Sequence, residues 1–212
     1  MTRGMSITFF YSPQSSATRI HWTLEELGVP YEKVKLDLRA GDQKKPDFLA
    51  INPHGKVPAV VIDGTPVFES SAIQIVLGER YGVEKGLWPA AGSPERAQAL
   101  SWLLWGHVTL GGAFMRYFMN TGAWIPPELQ HKPQAEAVLK EIHANLALLD
   151  ARLNGREYVV GDKFNLADLD IASMCGWAIP TAKIDVSAYP NLQDWLGRQT
   201  SRNGFKTAMA AT

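Results

Sequence analysis

The stretch from residue 52 to residue 71, NPHGKVPAVVIDGTPVFESS, constrains the fold more than any other part of the sequence. An apolar run follows the Val-Pro bond at 57–58, and a tight Asp-Gly turn at 63–64 joins it to a second short run, which predicts a hairpin. An acid and two serines at 69–71 then open a helix. Backbone groups before a proline, beside hydroxyl and amide donors at a helix start, suit a small peptide-like anion. The pattern therefore favours a ligand site over a bare scaffold.

The residues before this stretch alternate between strand and helix signals. Two runs of β-branched, aromatic or alternating apolar residues predict strands at 7–11 and 31–38. Between them, apolar residues on one face predict a helix over 16–27 that ends at Gly28. The predicted order of elements is β-α-β, a loop, and then β-β-α.

The second part of the chain follows a helical period. Glycines and prolines are frequent over 81–94, which indicates a linker. Beyond it, leucines and isoleucine recur at steps of three and four over 137–153, as in a helix buried along one face. Asn165 and Asp168 predict a helix cap, so the carboxylate of Asp168 pairs with backbone amides and is not catalytic. Cys175 lies in an apolar run and is expected to be a buried core thiol.

Composition excludes several classes of function. The chain has 212 residues, and 21 Lys plus Arg balance 21 Asp plus Glu, so no basic surface favours nucleic acid. The single cysteine rules out an internal disulfide, a CxxC redox pair and a cysteine-built zinc site, and no metal is expected. The N-terminal apolar run is too short for a signal peptide, and no 18-residue apolar stretch occurs. We expect a soluble, cytoplasmic protein that does not bind membranes.

Four segments in this order, FYSPQSSATR, NPHGKVPAV, FESSAI and GDKFNLADLDIA, resemble the cytosolic glutathione transferases over nearly the whole chain. The resemblance implies an α/β thioredoxin-like N-terminal domain with a mixed four-stranded sheet, followed by an all-α C-terminal domain. The corresponding boundaries are a glutathione-binding domain at 1–83, a linker at 84–94 and a helical domain at 95–212 that contributes the electrophile site. The family also implies a homodimer.

The same resemblance implies a set of glutathione-binding residues. The bond between Val57 and Pro58 would be cis, so that the Val57 backbone pairs with the cysteinyl unit as an added strand does. Glu69 would bind the γ-glutamyl ammonium, and Ser70 with the helix start would bind the α-carboxylate. Lys56, and less directly Lys44 or His54, would face the glycine carboxylate. The alternatives are a plain helix cap for Ser70 and solvated side chains for the charged residues.

The hydroxyl that activates the thiol is left open between several residues of the first loop. Ser15 resembles the active serine of the theta, delta and zeta classes and is placed first. Ser16 follows, because it aligns with the cysteine of the beta class when residues are counted back from Gly28. Ser12 comes third, and Tyr11 resembles the tyrosine of other classes only in part. The alternative is that these serines merely cap the first helix.

The implied activity is conjugation of glutathione, as a co-substrate, to small hydrophobic electrophiles. An aromatic series in the helical part favours apolar acceptors, although such a series also suits a core: Leu100, Trp102, Trp105, Phe114, Met115 and Phe118. Other glutathione chemistry remains open, namely peroxide reduction, thiol-disulfide exchange, isomerisation or dehalogenation. A non-catalytic glutathione- or ligand-binding module is a further alternative.

Overall fold

The computed structural model describes residues 6–210, which form two compact units. The first unit comprises residues 6–91 together with 201–210, and the second comprises residues 92–200. No helix within residues 6–210 combines the length and the hydrophobicity needed to cross a bilayer.

The first unit is built on a four-stranded mixed sheet with the order β2-β1-β3-β4. β1 is parallel to β2 and antiparallel to β3, and β3 is antiparallel to β4. This is the predicted thioredoxin-like arrangement. Its elements are β1 (Ile7–Tyr11), α1 (Ala17–Leu27), β2 (Glu32–Lys35), a 3₁₀ turn (Asp42–Lys44), α2 (Pro46–Leu49), β3 (Ala59–Ile62), β4 (Thr65–Phe68) and α3 (Ser70–Leu77), which continues as a π-helical turn (Gly78–Gly82).

Local chemistry explains where these elements begin and end. α1 ends at Gly28, which adopts the left-handed conformation with φ of 56°. The hairpin turns through Asp63 and Gly64, both at positive φ, as a two-residue hairpin turn requires. β2 is shorter than the predicted strand over 31–38, because the Asp37 carboxylate accepts the amides of two following residues and starts a turn.

The core of the first unit lies between the sheet and its two main helices. Its buried side chains come from β1, β3, α1, α3 and the loop after α1: Ile7, Phe9, Ala17, Ile20, Leu24, Leu27, Val29, Val60, Ile62, Ile73 and Leu77. A smaller cluster on Leu36, Phe48 and Ala59 supports α2. The core thus fixes α1 and α3 against the strands that precede them.

All regular elements of residues 92–200 are helical, as predicted. They are α4 (Pro94–Leu104), a π-helical turn (Trp105–Leu110), α5 (Gly111–Thr121), a 3₁₀ turn (Pro127–Leu129), α6 (Lys132–Leu153), α7 (Leu166–Ala182) and α8 (Pro190–Thr200). Cys175 is fully buried in α7, and burial raises the pKa of its thiol to about 12. The predicted core role of this cysteine is confirmed.

The start of α7 is a fully buried cap. The Asn165 side chain accepts the amide of Ala167 at 2.9 Å. Asp168 accepts the amides of Val159 and Asn165 and the indole N–H of Trp195, at 2.8, 3.3 and 3.1 Å. Burial raises the pKa of Asp168 to about 7, although these donors oppose the shift. The prediction that Asp168 pairs with backbone amides at its own helix start is confirmed.

The last described helix, α9 (Asn203–Ala210), packs on α1 within the first unit. Arg202 donates two hydrogen bonds to the Glu26 carboxylate, at 2.8 and 2.7 Å. The rings of Trp22 and Phe205 meet edge to face, with centroids 5.0 Å apart. Sequence periodicity alone gave no reason to separate this helix from the other helices of residues 95–212.

Candidate functional site

Three segments of the first unit meet at one end of its sheet. Phe10, near the end of β1, pairs with Ala59 at the start of β3, and Ala59 in turn pairs with Phe68 at the end of β4. The β1–α1 loop, the Val-Pro bond and the start of α3 directly follow or precede these residues. The pairing register therefore brings together the segments from which the sequence predicted a binding site.

The serines of the β1–α1 loop have different roles. The Ser15 hydroxyl donates to the Ser12 carbonyl at 2.6 Å and accepts the amide of Ala17 at 3.2 Å, so it is engaged in the loop itself. Ser12 is buried, with 9% of its surface exposed. Ser16 is exposed, and its hydroxyl donates to the Val57 carbonyl at 3.2 Å. Ser16 alone among the three reaches the segment before Pro58 through a described hydrogen bond.

The loop that carries Val57 is held by Asn52. Its buried side chain donates to the Lys56 carbonyl at 2.7 Å and accepts the amide of His54 at 3.1 Å. The bond that follows, Val57–Pro58, is cis, as the resemblance implied. Asn52 is not among the predicted site residues, although the Asn-Pro pair at 52–53 is a turn signal that points to it.

The candidate cationic groups lie around the same loop. Lys44, His54 and Lys56 are all exposed. Gly55 has φ of 60°, and a Cβ placed there would lie 2.7 Å from the Gln43 carbonyl and 3.1 Å from Lys44 Nζ. Only glycine allows this close approach, which brings the Lys44 ammonium to the loop. The His54 ring packs near Phe68, with centroids 5.7 Å apart.

The start of α3 leaves polar groups available. Glu69 adopts φ of 66°, a conformation that is rare for residues other than glycine, and no side chain caps the helix. The first described intrahelical bond runs from the Ile73 amide to the Glu69 carbonyl at 2.9 Å. The amides of the first turn before Ile73 therefore have no intrahelical acceptor. Ser70 and Ser71 are buried, and the Ser71 hydroxyl has no hydrogen-bond partner among residues 6–210.

This arrangement can bind an extended anionic peptide. The Val57 backbone offers strand-like pairing, and the start of α3 offers free amides and the positive end of a helix dipole. Exposed Glu69 supplies a carboxylate beside those amides, and the lysines supply positive charge at the loop. A ligand with one carboxylate next to an ammonium and a second carboxylate at its other end fits these groups.

In the second unit, the predicted aromatic series divides between core and surface. Phe114 and Phe118 are buried in the core, whereas 46% of Met115 is exposed. Trp102 and Trp105 are half-buried and meet edge to face, with centroids 5.1 Å apart. Two tryptophans outside the predicted series, Trp124 and Trp177, contact Phe118 and are 57% and 46% exposed.

Comparisons with known proteins agree with the fold. The family model described as glutathione S-transferase, N-terminal domain, matches residues 5–75, and the model of the C-terminal domain matches residues 113–203. Glutathione S-transferase GstB of Escherichia coli K12 is 35% identical over 191 residues, which cover 89% of each chain.

Solved structures are similar over almost the whole chain. A sphingomonad glutathione S-transferase complexed with glutathione has 31% identity and a TM-score of 0.81, covering 96% of this chain and 98% of that one. The glutathione transferase URE2P8 of Phanerochaete chrysosporium, solved with oxidized glutathione, has a TM-score of 0.87 at 22% identity and covers 100% and 96%, which supports the fold alone. Two family models, a curated relative and a shared fold lead to one conclusion: this chain belongs to the glutathione S-transferase family.

Proposed function

We propose that the protein conjugates the thiolate of glutathione to small apolar electrophiles and that Ser16 donates the hydrogen bond that stabilises this thiolate. The observation that carries the proposal is the contact between the Ser16 hydroxyl and the Val57 carbonyl, at 3.2 Å. A peptide that pairs with the Val57 backbone has its central residue beside this carbonyl. An exposed hydroxyl at the same point is therefore close to the cysteinyl sulfur of bound glutathione. Its single proton turns from the Val57 carbonyl to the thiolate when the cysteinyl amide of glutathione donates to that carbonyl instead.

The remaining groups orient the tripeptide. The γ-glutamyl carboxylate binds the free amides of α3 together with the Ser70 hydroxyl, and the ammonium binds Glu69. The glycine carboxylate faces Lys56, with Lys44 and His54 nearby. This assignment uses each charged group of glutathione once, and it is supported by the backbone conformation of Glu69 and the close approach of Lys44 to Gly55.

One hydroxyl nearly suffices to activate the thiol. A free thiol has a pKa of about 8.5, and lowering it by about 2 units requires roughly 2.7 kcal/mol of preferential interaction with the thiolate. A hydrogen bond to a charged group contributes about 1.5–3 kcal/mol. The positive end of α1, which begins directly after Ser16, adds to this term. A general base is therefore not required.

The second unit supports an apolar acceptor. Trp124 and Trp177 contact buried Phe118 and are partly exposed, and Met115, one turn before Phe118 in α5, is partly exposed as well. Large aromatic surfaces of this kind bind small hydrophobic molecules. We propose that residues 95–212 contribute the electrophile site from this surface.

We also expect a homodimer, as in the family. Light scattering of the purified protein measures its mass in solution and so tests this expectation.

Paired serine substitutions test the role of Ser16. Ser16→Ala should lower kcat with a standard aromatic halide about 10- to 100-fold, the equivalent of one charged hydrogen bond, and leave the glutathione Kd nearly unchanged. Ser15→Ala is the matched control, because its hydroxyl is held within its own loop by Ser12 and Ala17, whereas the Ser16 hydroxyl is exposed and faces Val57. A large loss of kcat in Ser15→Ala with an active Ser16→Ala would transfer the role to Ser15. Retention on immobilised glutathione without turnover of either an aromatic halide or a peroxide would contradict the transferase proposal itself.

A further inference from the structure

A buried polar contact joins α1 to α3 beneath the candidate site. The Gln74 side chain in α3 donates from Nε2 to the Thr23 hydroxyl in α1 at 3.2 Å. The Thr23 hydroxyl donates in turn to the Arg19 carbonyl, one turn earlier in α1, at 2.8 Å. Gln74 and Thr23 are both fully buried. This contact is a side-chain hydrogen bond between two helices that also share an apolar core.

Stability does not explain the amide at position 74. Gln74 Oε1 is buried and has no hydrogen-bond partner among residues 6–210. An unsatisfied buried acceptor costs free energy of folding. Buried side chains of the same two helices, among them Ile20, Leu24 and Leu77, form one apolar core. A leucine at position 74 would suit that core at least as well, so the glutamine needs another reason.

The contact links the two helices whose starts form the two parts of the site that glutathione must span. Gln74 is one helical turn after Ser70, at the end of the tripeptide that carries the γ-glutamyl group. Thr23 lies in α1, the helix that starts directly after Ser16. Ser16 is the residue beside the proposed position of the sulfur. Apolar side chains resist separation of two helices but only weakly resist sliding. A directional hydrogen bond at one point fixes the register between them.

We infer that Gln74 and Thr23 are positioning residues, which hold the helix that binds the γ-glutamyl carboxylate at a fixed register against the helix that carries the thiol-activating hydroxyl. This inference rests on the proposed function. Its physical basis is that thiolate stabilisation depends steeply on the distance between sulfur and hydroxyl, whereas binding of the two ends of glutathione tolerates small shifts. Loss of the contact should therefore affect catalysis more than affinity.

Substitutions that remove the hydrogen bond and keep the volume test this role. Gln74→Leu and Thr23→Val should each lower kcat/KM for an aromatic halide about tenfold, mostly through kcat. The pKa of the bound glutathione thiol, followed by thiolate absorbance, should rise toward its value in solution. The urea unfolding midpoint of Gln74→Leu should stay unchanged or increase, whereas that of Thr23→Val should fall, because Gln74 Nε2 is then buried without an acceptor. Thr23→Ser retains the hydroxyl and should restore turnover, and the double variant should be no worse than either single one.

Gln199→Leu is the matched control, because Gln199 is a buried glutamine of the second unit, 2% exposed. It should leave the thiol pKa unchanged. The positioning role is overturned if Gln74→Leu and Thr23→Val keep the wild-type thiol pKa and kcat, or if their effects simply add. If Gln74→Leu does not fold, the Thr23→Val and Thr23→Ser pair decides the question alone. Failure of the proposed function gives a different result, since Ser16→Ala would then also be indistinguishable from the wild type.

Discussion

The starts of α3 and α7 contain similar residues but differ in how their polar groups are paired. At α7, Asn165 and Asp168 satisfy one another's backbone groups, and Asp168 also accepts bonds from Val159 and Trp195. At α3, Glu69 has a left-handed φ, no side chain caps the helix, and the hydroxyl of Ser71 has no described partner. A helix start whose polar groups are all paired internally stabilises the fold. One whose groups remain unpaired is available to a ligand.

This contrast separates two kinds of evidence that look alike in a sequence. Asn-Leu-Ala-Asp and Glu-Ser-Ser both place an acid and a small polar residue at the first turn of a helix. Only the surroundings distinguish them, because α7 begins inside the core of the second unit, whereas α3 begins at the end of the sheet with Glu69 exposed. Substitutions at the start of α7 should therefore change the free energy of unfolding, whereas substitutions at the start of α3 should change the affinity for glutathione.

The largest effect is expected from Asp168→Ala. It leaves two backbone amides and the Trp195 indole without an acceptor inside the protein, so the free energy of unfolding should fall by about 3–5 kcal/mol. Urea denaturation followed by tryptophan fluorescence measures the loss. The folded fraction should still bind glutathione with wild-type Kd. A stable Asp168→Ala protein with weakened glutathione binding would break the comparison, because α7 would then serve the ligand.

An intermediate effect is expected from Ser70→Ala, which should weaken glutathione binding and leave stability almost unchanged. Its hydroxyl and the neighbouring amides are proposed to bind the γ-glutamyl carboxylate, so the glutathione Kd should rise about tenfold, the equivalent of roughly 1.4 kcal/mol. The free energy of unfolding should change by less than about 0.5 kcal/mol, as at other positions without a special structural role. Calorimetric titration with glutathione measures the first quantity. An unchanged Kd with a clear loss of stability would identify Ser70 as a helix cap only.

Most of the fold follows from local sequence signals. The left-handed Gly28, the Asp63–Gly64 turn and the capping box at Asn165 each determine their own geometry from a few adjacent residues. The packing of α9 on α1 could not be predicted in this way. It depends on the Arg202–Glu26 pair and the Trp22–Phe205 contact, which join residues far apart in the chain.

The candidate site was predictable only in part, for the same reason. Motif order identified the segments, but the distinction between Ser15 and Ser16 depends on which carbonyl each hydroxyl faces, and Ser16 contacts Val57 across the fold. Gln74 and Thr23 gave no sequence signal, because a single glutamine in an apolar helix has no characteristic spacing. Residues that act through contacts with distant parts of the chain can be identified only from the three-dimensional structure.

The smallest effect is expected from Ser71→Ala, and its comparison with Asn165→Ala as a reference is the sharpest test of the difference between the two helix starts. The Ser71 hydroxyl is buried without a described partner, so its removal relieves an unsatisfied group and should leave the free energy of unfolding unchanged or raise it by up to about 1 kcal/mol. Asn165→Ala removes a cap of the usual kind and should lower it by about 1–2 kcal/mol. Urea unfolding of both variants under identical conditions gives the two signs directly. If the two changes in the free energy of unfolding have opposite signs, Ser71 destabilises the first turn of α3 and Asn165 stabilises that of α7. Equal losses would mean that Ser71 caps α3 and that the two helix starts do not differ.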